Sequence, residues 1–202
     1  MKKLIPLFIF LFGCLFSQFA QAETIVKEQS ESYVSFATRA TPANTNITHK
    51  PLTFSNWINP LPTIVAFYEK IPSKDDLTYE TSIEAVAYIA TSQTDYNRVT
   101  IDTYGSAGGN PRIESVFLSK NKKPSKRKLV VIVSWDVNHA GVHGDLYETY
   151  IYEPPSNSAS QKFSYLEALS KKLSGGCDCQ YDNGTVKTAK FKTAKAVLNA
   201  LK

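Results

Sequence analysis

The chain has 202 residues, of which 43% are hydrophobic and 20% are charged, with 23 basic and 18 acidic side chains. Without Lys2 and Lys3, which belong to an N-terminal leader, 21 basic residues face 18 acidic ones, a net charge of +3. A charge this small gives no reason to expect a nucleic-acid partner. The 180 residues that follow the leader suit one domain better than two.

The first 22 residues have the pattern of a secretory signal peptide of bacterial form. Two lysines precede an apolar run from Leu4 to Phe19, and a small-x-small site predicts cleavage after Ala22. A membrane-spanning helix is disfavoured, because the run is shorter than the roughly 20 residues that a bilayer needs. A lipoprotein signal at Cys14 is also disfavoured, since the bulky Phe12 stands where such signals carry small residues. The leader therefore predicts a periplasmic or secreted protein.

Residues 23–50 are rich in small polar and charged side chains, which predicts a mobile lead-in with at most a short strand at Tyr33–Phe36. From Pro51 to Leu61 the prolines predict an irregular segment whose aromatic side chains pack onto the core. The folded domain is therefore expected to occupy residues 51–202.

Three strands are predicted in the first half of this domain. Thr63–Tyr68 is the first, and a turn at Pro72–Asp76 should end it. Residues 82–92 have both helical spacing and a strand-like run, and we favour a strand for their later half. Arg98–Tyr104 alternates apolar and polar residues, as expected for a strand with one buried face.

The run Leu129–Val133 is apolar, mostly β-branched and too short for a helix. It predicts a strand that is buried on both faces and lies at the centre of a sheet. Arg112–Leu118 and Leu146–Tyr152 should flank it as shorter, more polar strands.

The periodicity changes after Pro155. Apolar residues three and four apart predict a helix that uses Phe163, Leu166, Leu169 and Leu173, and a last helix that uses Phe191, Ala194, Leu198 and Leu201. The predicted fold is α+β: an antiparallel sheet of about five to six strands with two C-terminal amphipathic helices packed on one face.

Cys177 and Cys179 are the only cysteines after the leader, so an intramolecular disulfide can join them only to each other. In an oxidising compartment a loop-stiffening bridge is the favoured interpretation. A thiol–disulfide exchange site is the alternative, although no thioredoxin-like pattern surrounds the pair. Metal binding or cross-linking to a partner also stays open.

The segment between the last two predicted strands is a weak candidate for metal binding, because two imidazoles and two carboxylates can fill a tetrahedral zinc shell. The four residues are Asp136, His139, His143 and Asp145. Two glycines argue against a helix there, so an ordinary polar hairpin loop is favoured and no metal or other cofactor is predicted. Ser134 and Ser106 lack a nucleophile-elbow motif, so no catalytic residue is predicted either.

Two further segments are candidate binding surfaces. Six of the nine residues from Lys120 to Lys128 are basic, which predicts a solvated hairpin tip. The alternative is an electrostatic contact for an acidic protein, an anionic lipid or an envelope polymer; the candidate residues are Lys122, Lys123, Lys126 and Arg127. The second candidate surface is a tyrosine-rich strand near a tryptophan, where Trp135, Tyr147 and Tyr150 could contact a ligand. The alternative is that these rings pack in the core, as aromatic side chains of strands usually do.

No motif is specific enough to indicate a family. The leading hypothesis is an exported, non-enzymatic protein that binds a protein partner in the envelope, such as an inhibitor or immunity protein against a toxin or hydrolase. The alternatives are a small exported enzyme or redox protein that uses the cysteine pair or the histidines, and a structural protein that binds an envelope polymer.

Overall fold

The computed structural model describes residues 23–70, 72, 80–156 and 162–201. The predicted leader with Cys14, most of the predicted turn after Pro72 and the Ser/Asn-rich linker at 157–161 lie outside these residues. The first of two sheets is antiparallel and has the strand order β1-β5-β4-β3-β2. Its strands are β1 (Thr24–Val26), β2 (Thr45–Phe54), β3 (Thr63–Lys70), β4 (Ser82–Ala90) and β5 (Asp95–Tyr104).

The second sheet is also antiparallel and has the order β11-β10-β8-β7-β6, with β9 paired to the far end of β8. Its strands are β6 (Pro111–Leu118), β7 (Leu129–His139), β8 (Val142–Glu153), β9 (Ser164–Tyr165), β10 (Cys177–Tyr181) and β11 (Val186–Lys187). Strand β7 lies between β6 and β8, and Leu129–Val133 is fully buried. The prediction of a central strand buried on both faces is confirmed.

The main core lies between the two sheets. Alternate residues of β7, such as Val131 and Val133, pack in one cluster with Val65, Ala87 and Val99 of the first sheet. The prediction of one sheet is therefore wrong, because the strands before Gly105 form a sheet of their own that packs against the second. The protein is mostly antiparallel β structure.

In the described part of the chain, three short helices accompany the sheets: α1 (Tyr33–Arg39), α2 (Glu167–Leu173) and α3 (Ala194–Ala200). Phe36 of α1 packs with Tyr68 and Tyr88 on the outer side of the first sheet. Leu173 and Val197, from α2 and α3, share a cluster with the outward-facing residues Val130, Ile132 and Ile151 of the second sheet. These helices are shorter than the sequence predicted, since Phe163 packs in the core between the sheets and β9 precedes α2.

The predicted strand at Tyr33–Phe36 is wrong, because α1 occupies these residues. Ser32 caps this helix by accepting a hydrogen bond from the Ser35 amide (3.0 Å), and the Tyr68 hydroxyl donates to the Ala37 carbonyl (2.8 Å). The surrounding lead-in residues supply β1 and much of β2, the two edge strands of the first sheet.

Strand β2 also extends to Phe54, into the segment predicted to be irregular. Pro51 is accommodated because β2 is an edge strand, and because the pairing register shifts between His49 and Leu52. The chain becomes irregular after Phe54, and Trp57 and Ile58 pack into the core as predicted. Ser82–Ala90 is a strand along its whole length, which extends the prediction for its later half.

Candidate functional site: the basic hairpin tip

The connection from β6 to β7 is an ordered hairpin tip, and we call Lys120–Lys128 the basic tip. Its base is closed by two hydrogen bonds, from the Ser119 amide to the Lys128 carbonyl and from the Lys128 amide to the Ser119 hydroxyl (both 2.8 Å). Inside the tip, the Asn121 side chain accepts from the Lys123 amide (2.9 Å), and Pro124–Lys126 forms one 3-10 turn. Backbone groups and short polar side chains therefore fix much of the shape of the tip, and the Arg127 Nε–H adds a hydrogen bond to the Asn121 carbonyl (3.4 Å).

A tryptophan from the other half of the chain anchors the basic tip. The Trp57 Nε1–H donates to the Arg127 carbonyl (2.9 Å), although the two residues are 70 positions apart. Trp57 is 1% exposed and packs edge-on against Phe54 and at a tilt against Phe163, with ring centroids 5.5 and 5.8 Å away. The tip is therefore attached to the core, and its orientation is set by the packing between the sheets.

The basic tip concentrates positive charge with little compensation. Its six cationic side chains are Lys120, Lys122, Lys123, Lys126, Arg127 and Lys128. Only Lys128 forms an ion pair within the described part of the chain, with Glu153 at 3.7 Å. The first four lysines are exposed, whereas Arg127 and Lys128 are half-buried. Cations this close repel one another, so an anionic partner would be attracted to the tip.

Two of the open hollows beside the basic tip are each lined by several of its cationic side chains. The first has a volume of about 490 Å³ and is lined by Ser119, Lys120, Lys122 and Arg127, among others. The second, of about 320 Å³, lies between the tip and the helices, where lysines of the tip meet Leu169 and Leu201. Lysine supplies a mobile point charge and arginine a planar fork, so together these surfaces suit carboxylates or phosphates presented by a partner.

The structure places the two predicted histidines on a tight hairpin between β7 and β8. The turn is formed by residues 140–141, and Gly141 has a φ of +87°, which favours glycine. His139 lies opposite Val142, so the neighbouring His143 is on the other face of the hairpin. The two imidazoles therefore do not converge.

The two acidic candidates on this hairpin are brought together, but around an arginine. Asp136 and Asp145 are cross-strand partners, and both accept hydrogen bonds from Arg112 of β6, with Nη2 at 2.5 Å from Asp145. The Arg112 hydrogen bond holds the pKa of Asp136 below its ordinary value. No group of three or more His, Cys, Asp or Glu side chains suited to a metal occurs among the residues that the structure describes.

The predicted aromatic surface is divided between the two faces of the second sheet. Trp135 is buried between the sheets, where its Nε1–H donates to the Gly105 carbonyl (2.8 Å), and the half-buried Tyr150 packs with the same core. Tyr147 packs with the outer cluster near the helices. The Tyr150 hydroxyl donates to Glu148 (2.7 Å). The three aromatic candidates therefore do not form one ligand-binding face.

Cys177 and Cys179 are joined by a disulfide within β10, and their Cα atoms are 5.1 Å apart. Residues two apart on a strand point to the same side, which lets the two sulfur atoms meet. Cys179 is buried and Cys177 is partly exposed. Next to the bridge, the backbone of β10 approaches Gly144 so closely that a Cβ atom there would lie 2.0 Å from the Asp178 carbonyl oxygen.

Sequence reasoning missed two residues that organise these surfaces. Trp57 was expected to pack in the core, but nothing local in the sequence indicates its bond to Arg127. Arg112 was placed in a flanking strand, and only the pairing of β6, β7 and β8 brings it between two carboxylates.

No family model, curated protein or solved structure matches this chain. No helix in the described ranges is long and apolar enough to cross a membrane.

Proposed function

We propose that the protein is an exported, non-enzymatic binding module whose basic tip contacts an acidic surface of a protein partner in the bacterial envelope. An inhibitor or immunity protein that acts on an envelope toxin or hydrolase is the specific form of this proposal. The observation that carries it is the basic tip itself, where six cations are held on a fixed scaffold and one of them has a carboxylate partner.

Charge complementarity is the physical basis of the proposal. Exposed charges at an interface mainly raise the association rate and select the partner, and their effect weakens as salt concentration rises. Lys120 and Lys122 line the first hollow, and Lys126 lines the second, so an acidic loop has concave places in which to bind. The leader predicted at residues 1–22 supports the proposed envelope location.

The test uses two variants that remove equal charge at different places. The first replaces four exposed lysines of the tip by glutamine, at Lys120, Lys122, Lys123 and Lys126. The control replaces four exposed lysines that lie outside the tip and line neither of its two hollows, at Lys50, Lys70, Lys187 and Lys190. Both variants lower the net charge by four, so a difference between them reports on position.

A partner is first captured from the periplasmic and secreted extract, identified by mass spectrometry and purified, and its affinity is then measured by calorimetry at several salt concentrations. We expect the tip variant to bind about 10- to 100-fold more weakly, with a reduced dependence on salt, and the control to bind like the wild type. Equal affinities of the tip variant and the wild type would contradict the proposal. A bound metal that is required for turnover would favour the enzymatic alternative.

A further inference from the structure

Lys27, directly after β1, is a charged side chain that is almost fully buried. It is 8% exposed, and its backbone amide is fixed by a hydrogen bond to the Thr94 carbonyl (2.7 Å). The ammonium group donates one hydrogen bond, to the Glu28 carbonyl (2.9 Å), and lies 5.4 Å from the centre of the Tyr33 ring. An ammonium group has three N–H donors, so one carbonyl and one ring face satisfy it incompletely.

No counter-ion for this ammonium group is provided by the described residues. None of the ion pairs in that part of the chain includes Lys27. Glu31 is near enough for its pKa to be influenced by Lys27, but its carboxylate is held by Arg39 through hydrogen bonds of 3.0 and 2.8 Å. Burying an unpaired charge costs free energy, so an anion from outside the chain that pairs with the Lys27 ammonium group would be stabilised there.

A hollow adjoins Lys27 at the edge of the first sheet. Its volume is about 370 Å³, within the range of small-ligand sites. The walls combine apolar and aromatic side chains with a few amides and hydroxyls; the main wall residues are Tyr33, Leu61, Pro62, Gln93 and Tyr96. Among the described residues that line the hollow, Lys27 alone is charged. Burial and the neighbouring Tyr33 raise the pKa of Tyr96 to about 12, so this phenol stays neutral at physiological pH.

We propose that this hollow binds a carboxylate attached to an apolar body. The carboxylate pairs with the Lys27 ammonium group, and the body contacts the rings and the Leu61–Pro62 wall. Two sources share this chemistry: a free organic acid, and the C-terminal carboxylate of a short peptide. The site belongs to the first sheet and involves none of the residues of the basic tip, so it does not depend on the function proposed above.

The test is a titration of the protein, produced from the full sequence, followed by two-dimensional ¹H–¹⁵N NMR. The probes are hydrocinnamate for the free acid and N-acetyl-alanyl-phenylalanine for the peptide terminus, each compared with its uncharged amide. We expect saturable shifts of the Lys27, Tyr33 and Tyr96 amides with a dissociation constant of about 1 mM or tighter for at least one carboxylate. The probe that binds more tightly identifies the source, and the amide forms should bind at least tenfold more weakly.

Three variants locate the binding energy. Lys27→Met should weaken binding at least tenfold. Lys187→Met is the matched control, because the Lys187 ammonium group also lies over a tyrosine ring, at 5.1 Å from Tyr181, but is exposed; this variant should bind like the wild type. Gln93→Glu keeps Lys27 and supplies a competing carboxylate at the wall, so it should also abolish tight binding, even if Lys27→Met does not fold.

The proposal is overturned if neither carboxylate gives saturable shifts up to about 10 mM. It is equally overturned if the amides bind as tightly as the acids, or if either Gln93→Glu or a folded Lys27→Met keeps wild-type affinity.

Discussion

Replacing Trp57 by phenylalanine should destabilise the fold and specifically loosen the basic tip. The substitution removes the indole N–H that donates to the Arg127 carbonyl and leaves this acceptor without a partner, at a cost of about 1–3 kcal/mol. The smaller ring also leaves space beside Phe54 and Phe163, for which we expect about 1–2 kcal/mol. The free energy of unfolding should therefore fall by about 2–5 kcal/mol.

Trp135 provides a matched control for this prediction. It is 2% exposed and its indole donates to the Gly105 carbonyl at 2.8 Å, so Trp135→Phe removes the same kind of bond from a similar environment. Urea unfolding followed by circular dichroism should give comparable losses of stability for the two variants. Only Trp57→Phe should also lower the affinity for the partner of the basic tip.

Hydrogen exchange separates loosening of the basic tip from general destabilisation. The Ser119 and Lys128 amides close the base of the tip, so their exchange reports on its order. At urea concentrations chosen to give both variants equal stability, these two amides should exchange faster in Trp57→Phe than in Trp135→Phe. Equal exchange in the two variants, or a loss below about 0.5 kcal/mol for Trp57→Phe, would refute the anchoring role.

Three further outcomes follow from single contacts. Gly144→Ala should lower the free energy of unfolding, measured by urea titration, by at least about 3 kcal/mol, since φ is +145° and the new Cβ would lie 2.0 Å from a backbone oxygen of β10. Gly184→Ala is the control: its φ is +80° but nothing lies within 4 Å of the new Cβ, so it should lose only about 1 kcal/mol. Arg112 lowers the pKa of Asp136 from its ordinary 3.8, so it adds stability that is present above this pH and lost as the pH falls; urea titrations should show a weaker acid dependence in Arg112→Met. Burial first, and then the neighbouring tyrosine, raises the pKa of Tyr152 above its ordinary 10.0, so stability should fall as the pH rises past 10, and less steeply in Tyr152→Phe.

Local pattern predicted the strands better than their assembly. The run Leu129–Val133 and the alternation of Val99 and Ile101 identify strands β7 and β5, because each reflects which sides of one strand are buried. Whether the eleven described strands form one sheet or two depends on pairing between distant residues, which the local alternation of residues does not record. The sequence of Ser82–Ala90 is ambiguous because its later residues are buried on both faces and therefore do not alternate between apolar and polar. The second sheet covers one face and the cluster around α1 covers the other.

The two-residue period of strands decided which of the candidate site residues lie on the same face of the sheet. Residues that are close in sequence, such as Tyr147 and Tyr150, are separated by the sheet when they stand an odd number of positions apart. The cations of the basic tip are not divided between two faces in this way, because the tip lies beyond the ends of β6 and β7. The bond from Trp57 to Arg127 and the hollow at Lys27 were not predicted, since both depend on contacts between segments about 70 residues apart.

The basic tip is also where stability and binding make opposite demands. A net charge of +3 for residues 23–202 conceals six cations within nine positions, and their mutual repulsion opposes the ordered hairpin. Trp57, Ser119 and Asn121 nevertheless hold the backbone of the tip in one shape, with contacts that do not use the charges. A tip selected only for stability would gain by exchanging some lysines for neutral residues. The tip lysine-to-glutamine variant should therefore be at least as stable as the wild type while it loses its partner, which separates a binding role of the charges from a structural one.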